Sequence, residues 1–172
     1  LQCLTIGGLI ALISKMGGAK AVAESLAKRA KGPRSAQLIT WVLGLLIFFD
    51  DYANSLIVGP IMRPVTDKLK IAREKLAFII DATAAPIAGI ALISTWVAYE
   101  VGLIKDAYVS IGVDVNAYGI FIQTIPYRFY NILILAFIVI SALTLKDFGS
   151  MLKAQTRALK EGKVFADDAR PM

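Results

Sequence analysis

The stretch Leu45-Leu46-Ile47-Phe48-Phe49-Asp50-Asp51-Tyr52-Ala53-Asn54-Ser55-Leu56-Ile57-Val58 sets two adjacent carboxylates, an amide and a hydroxyl inside an apolar run. The chain around it is 57% hydrophobic and only 19% charged, with a mean hydropathy of +0.65. A soluble core of 172 residues needs less, so lipid is the expected solvent. A charge at the bilayer midplane costs about 2.5–3.5 kcal/mol on insertion scales, which makes buried carboxylates expensive and points to a function. Two like charges side by side also couple in their titration, so such a pair can give up and retake a proton.

Working outward, four apolar regions appear, at 1–14, 36–62, 76–104 and 127–145. Between them, 15–35 carries six basic residues, 63–75 five, 105–126 one, and the tail from Lys146 six. The net charge of +6 therefore sits in blocks between apolar stretches, which reads as loop charge orienting a membrane protein and not as a nucleic-acid surface. The basic segments are expected on the cytoplasmic side of an inner membrane, and 105–126 outside. Residues 1–145 read as a transmembrane unit and 146–172 as a cytoplasmic amphipathic tail or connector.

This charge pattern decides the fold. Segments 15–35 and 63–75 cannot share a side if 36–62 crosses once, so the chain is expected to enter and return. Gln37–Phe49 forms one arm of a re-entrant hairpin, Asp50–Ser55 its tip and Leu56–Met62 the other arm. An arm of about 13 residues reaches roughly 20 Å, near the bilayer midplane. One long broken span over 36–62 is the alternative. Region 76–104 exceeds a straight span, and Pro86, which cannot donate its amide, predicts a break near 81–86. The fold class is thus an all-α polytopic membrane protein with a re-entrant hairpin and a broken helix.

The other segments fit that scheme. Ala19–Lys31 and the stretch after Lys146 read as amphipathic surface helices, with Ser35 placed to cap the helix between. The start at Leu1, with a short apolar run from Leu4 to Ile13, reads as a truncated helix of a longer protein. The lone Cys3 excludes an internal disulfide, and the absence of histidine leaves acid–base work to carboxylates.

The candidate site is Asp50, Asp51, Asn54 and Ser55, joined by Asp81 and Thr83 from the second acidic cluster, Asp81-Ala82-Thr83-Ala84-Ala85-Pro86. Carboxylate, amide, hydroxyl and backbone oxygens suit a hard alkali cation, with Asp51 and Asp81 as the expected Na+ ligands. Structural roles stand beside these. Asp51 or Asp81 can pair with a basic residue elsewhere, Asp50 can cap a helix, Asn54 and Ser55 can bond the tip, and Thr83 can satisfy a carbonyl freed by proline.

The runs Phe49-Asp50-Asp51-Tyr52-Ala53-Asn54-Ser55-Leu56-Ile57-Val58-Gly59, Arg63-Pro64-Val65-Thr66-Asp67-Lys68, Arg73-Glu74-Lys75-Leu76-Ala77-Phe78, Asp81-Ala82-Thr83-Ala84-Ala85-Pro86 and Ser94-Thr95-Trp96 together resemble the NhaC-type sodium/proton antiporters, over about residues 40–104. The resemblance implies an inverted-repeat secondary transporter of the ion-transporter superfamily, with ion-handling positions at Asp50, Asp51, Asn54, Asp81 and Thr83. It implies exchange of Na+ for H+, with coupled transport of a small organic acid or amino acid, of lactate or malate type, as the alternative. No cofactor and no enzymatic activity are expected. The expected partners are the bilayer, Na+, H+, the remainder of the transporter and, compatibly, a second copy. An intramembrane aspartyl protease built on Asp51 and Asp81 would want a Gly-x-Gly-Asp motif, whereas Asp81 follows Phe78-Ile79-Ile80. A non-transporting scaffold would tolerate alanine at all three aspartates.

Overall fold

The computed structural model describes residues 18–166 and 169, and within them the chain is helical with no strand. The apolar region 1–14 and Cys3 lie outside the described residues. The helices are α1 (Gly18–Ala27), α2 (Pro33–Leu46), α3 (Asp51–Lys68), α4 (Arg73–Ile90), α5 (Thr95–Ser110), α6 (Ala117–Thr124), α7 (Phe129–Thr144) and α8 (Gly149–Glu161). A 3-10 turn, Ile125–Tyr127, links α6 to α7.

The chain doubles back between α2 and α3. Asn54, in the first turn of α3, donates its amide to the carbonyls of Gly44 at 2.9 Å and Ile47 at 3.4 Å. At the other end, Ala27, Ala30 and Lys31 line one surface depression with Pro64, Val65, Lys68 and Leu69. The two basic connectors therefore lie at the same end, as the charge pattern requires. The hairpin's bounds differ from expectation. Its turn is 47–50, because Asp50 accepts the Ala53 amide at 2.8 Å and starts a helix that already contains Asp51 to Ser55. The second arm is 18 residues long and carries Pro60 and Pro64 inside it. Likewise α2 begins at Pro33, a favoured first position, and Ser35 caps it from the third helical position by accepting the Gly32 amide at 2.9 Å.

Helix α4 is the axis of the bundle. Gln37 shares a pocket with Lys75 and Ile79, and Gly44 abuts Thr83, so α2 runs alongside α4 in the same sense. Helix α3 runs the opposite way, with Ser55 beside Asp81 and Arg63 beside Arg73. Helix α7 is also antiparallel to α4, through Phe78 against Phe137 and Asn131 against Pro86. Ala36, Leu43, Ile47, Ala53, Val58, Met62, Ile71, Leu76 and Ile80 form the main core, which Ala27 of the expected surface helix joins.

The break does not fall at 81–86. Helix α4 passes through Pro86, and the chain leaves the helix at 91–94, where α4 and α5 diverge by 44°. Ser94 explains the position: its hydroxyl accepts the Val97 amide at 3.1 Å and donates to the Ala88 carbonyl at 2.7 Å, ending one helix and starting the next. The segment 105–126, expected outside the membrane, completes α5 and forms α6, whose Tyr118 hydroxyl donates to the Leu92 carbonyl at 2.9 Å.

At the basic end the elements are tied together. Lys75 and Asp147, 3% and 4% exposed, form an ion pair at 2.7 Å. Arg34 donates to the Leu143 carbonyl, and Gln155 of α8 bonds both Ala72 N–H and Lys70 C=O. Ala154 and Ala158 of α8 pack against Ala72. Phe148, Leu152 and Leu159 remain exposed. Helix α7 buries only Leu135, Ile138 and Ala142, leaving Phe129, Leu133, Phe137, Ile140 and Leu143 bare. By length and composition, the described residues hold one stretch apolar enough to cross a bilayer, Phe129–Glu161, and a second if the bent pair α4 and α5 is one span.

Candidate functional site

Two discontinuities meet in this fold. The hairpin turn 47–50 projects its backbone to the α4–α5 break, where the Phe49 carbonyl accepts the Thr95 amide at 3.4 Å. One residue on, the indole of Trp96 approaches Asp51 Oδ1 at 3.5 Å, on the exposed side of the junction. Asp50 and Asp51, both half-buried, thus stand where the turn between α2 and α3 meets the break between α4 and α5.

Beneath the turn lies a tight contact of three helices. Asn54 and Thr83 are fully buried, and Gly44 sits between them. A Cβ at position 44 would lie 2.5 Å from Thr83 Cγ2 and 3.6 Å from Asn54 Nδ2, so only glycine lets α2 approach α4 this closely. The Thr83 hydroxyl donates to the Ile79 carbonyl at 2.5 Å within its own helix. The Asn54 amide nitrogen is used by Gly44 and Ile47, while its Oδ1 is buried without a hydrogen-bond partner among the described residues. A buried carbonyl oxygen left unpaired costs about 1–3 kcal/mol, which makes it the neutral oxygen here best suited to a cation.

The expected set therefore divides. Asp50, Asp51 and Asn54 belong to the hairpin turn and the first turn behind it, and Thr83 joins them through Gly44. Asp81 is exposed and does not line this junction. It lines a groove of about 340 Å³ between α3 and α4 with Ser55, Gly59, Arg63, Arg73, Leu76, Ala77 and Ile80. Pro86 is not a break, but its carbonyl accepts Asn131 Nδ2 at 2.9 Å. Among the described residues no group of three or more His, Cys, Asp or Glu converges as a metal site.

Sequence reasoning missed three contributors. Gly44 carries no chemistry and shows its role only through the contact. Glu100 and Arg128 form a two-point ion pair across 28 residues of sequence. The signal was present in two opposite charges within apolar segments, each costly without the other.

With this geometry in place, known proteins offer two points of reference. A model of the Na+/H+ antiporter family matches residues 87–168. That region runs from the end of α4 through α8, and so holds the break, Glu100, Arg128 and Asn131 but none of Asp50, Asp51 and Asp81. An uncharacterized protein of Haemophilus influenzae is 37% identical over 158 residues, a match covering 91% of this chain and 30% of the relative. The chain thus spans less than a third of that relative's length. No solved structure matches it.

Proposed function

We propose that this chain is part of a multi-pass secondary transporter of the cytoplasmic membrane that exchanges Na+ for H+. The observation that carries the reading is the meeting of the acidic hairpin turn with the helix break at 91–94, Phe49 carbonyl to Thr95 amide. The family match over 87–168 supports it from the other half of the chain. Irregular backbone at membrane depth is tolerated where protein or a water-filled cavity covers it, and such places are where transporters hold their ions.

In this reading α2 and α3 are a re-entrant hairpin entering from the basic, cytoplasmic end. The 14 residues of α2 reach about 21 Å, past the middle of a core about 30 Å thick. The bare apolar faces of α3, α5 and α7 pack against lipid and the rest of the transporter. Deprotonated Asp51 supplies the charge for Na+, Asn54 Oδ1 and backbone carbonyls of the turn supply neutral oxygens, and Asp50 holds the turn in place. A proton arriving at Asp51 removes that charge and releases the ion, so one carboxylate serves both cargoes in turn. Asp81 and Ser55 line the approach from the basic end.

The test is Na+-driven proton movement in vesicles carrying the full-length protein. Asp51→Asn is expected to abolish it, and Asp81→Asn to weaken it by raising the Na+ concentration required. Unchanged exchange in Asp51→Asn would sink the reading.

A further inference from the structure

Across the break the helical hydrogen-bond ladder is interrupted and the Ser94 hydroxyl bridges Ala88 of α4 to Val97 of α5, so contacts from neighbouring helices add to what sets the 44° between them. One side of the break meets the hairpin turn. The other meets the first turn of α7, which reaches both arms. Asn131 donates to the Pro86 carbonyl of α4 at 2.9 Å. Arg128, at the N-cap of the same helix, grips both carboxylate oxygens of Glu100, two turns into α5. Its guanidinium lies 4.9 Å over the Phe121 ring of α6, and its Nε reaches the Thr124 hydroxyl at 3.4 Å. Gly89 leaves the space for this, since a Cβ there would lie 2.8 Å from Asn131 Nδ2 and 3.6 Å from Arg128 Nη1.

Each grip is directional. A two-point guanidinium–carboxylate contact fixes orientation as well as distance, which a lysine cannot do. An amide that holds a carbonyl in a partly buried, mostly apolar setting holds it more firmly than it would in water. Two residues within one turn, Arg128 and Asn131, therefore tie α4 to α5 through a third helix.

We propose that Arg128 and Asn131 are positioning residues that set the angle of the α4–α5 break and so hold Thr95 and Trp96 against the acidic turn. Their effect on transport rests on the exchange reading above; their effect on the angle does not.

The experiment uses the full-length protein with Cys3→Ser, spin-labelled through Ala77→Cys on α4 and Val109→Cys on α5. Each 10° of bend swings Val109, about 21 Å beyond the break, by about 4 Å and, from a 44° bend, changes its distance to a label about 20 Å before the break by about 1–2 Å. Asn131→Leu and Arg128→Met are each expected to shift or broaden the inter-label distance by that order, and the reciprocal pair Glu100→Arg with Arg128→Glu to restore most of it. Gly89→Ala, a milder change, is expected to act as a weaker Asn131→Leu. In exchange assays the same variants are expected to raise the KM for Na+ about tenfold or more, with a smaller fall in maximal rate. An unchanged distance in Gly89→Ala and Asn131→Leu overturns the brace, whatever transport does. A changed distance with an unchanged KM overturns its link to the acidic turn. If the parent protein moves no protons with Na+ while the distances respond as expected, the exchange reading fails and the brace stands.

Discussion

Replacing Gly44 with alanine tests the packing that holds the candidate site together. The added Cβ would sit 2.5 Å from Thr83 Cγ2, about 0.9 Å short of an ordinary contact at 3.4 Å. Thr83 has little freedom to yield. It is fully buried, its hydroxyl is bonded to the Ile79 carbonyl, and a β-branched side chain in a helix has few rotamers. The helices must part instead, and parting α2 from α4 also strains the Asn54–Gly44 bond that closes the hairpin. Overpacking of this kind costs about 1–3 kcal/mol, which lowers the folded-to-unfolded ratio about 5- to 150-fold. The measurement is melting of full-length Gly44→Ala, Thr83→Ser and the double variant. Thr83→Ser keeps the hydroxyl and deletes Cγ2, so the double variant is expected to recover at least half of the Gly44→Ala loss. A neutral Gly44→Ala, or a double variant no better than the single, refutes the contact.

Two further predictions separate roles that the sequence leaves entangled. Asp50→Asn keeps the capping oxygen and should melt within about 0.5 kcal/mol of the parent, whereas Asp50→Ala should lose about 0.5–2 kcal/mol; equal melting of the two variants would deny the cap. Lys75→Met leaves Asp147 buried without its counter-charge and should cost about 3–5 kcal/mol, most of it regained in Lys75→Met with Asp147→Leu, as read by the same melts.

The hairpin was legible because charge placement is a sequence property. Six basic residues before 36 and five after 62 demand a return, and the structure puts Lys31 and Lys68 on one surface. The limits of the turn were not legible. They depend on Asp50 finding the Ala53 amide, a local choice between capping and ion binding that composition does not make. The break was misplaced because proline is the louder signal. Pro86 forfeits one hydrogen bond and stays helical under the packing of α7, while Ser94 supplies the oxygen that ends one helix and begins the next. Helix α6 was missed because 105–126 is poor in charge without being a long apolar run. The Glu100–Arg128 pair and the Gly44–Thr83 contact join residues 28 and 39 apart, and only tertiary structure brings them together. Asp81 was grouped with Asp50 and Asp51 by chemistry and by the family resemblance; on α4 it lines a groove with Ser55 and does not line the turn.

The account stands on one carboxylate serving both Na+ and H+. Adding Na+ to the full-length protein in weakly buffered detergent solution should therefore displace protons, and the pH change measures them. Release is predicted in the parent protein and in Asp81→Asn, and none in Asp51→Asn. Equal proton release from the parent and from Asp51→Asn would contradict it.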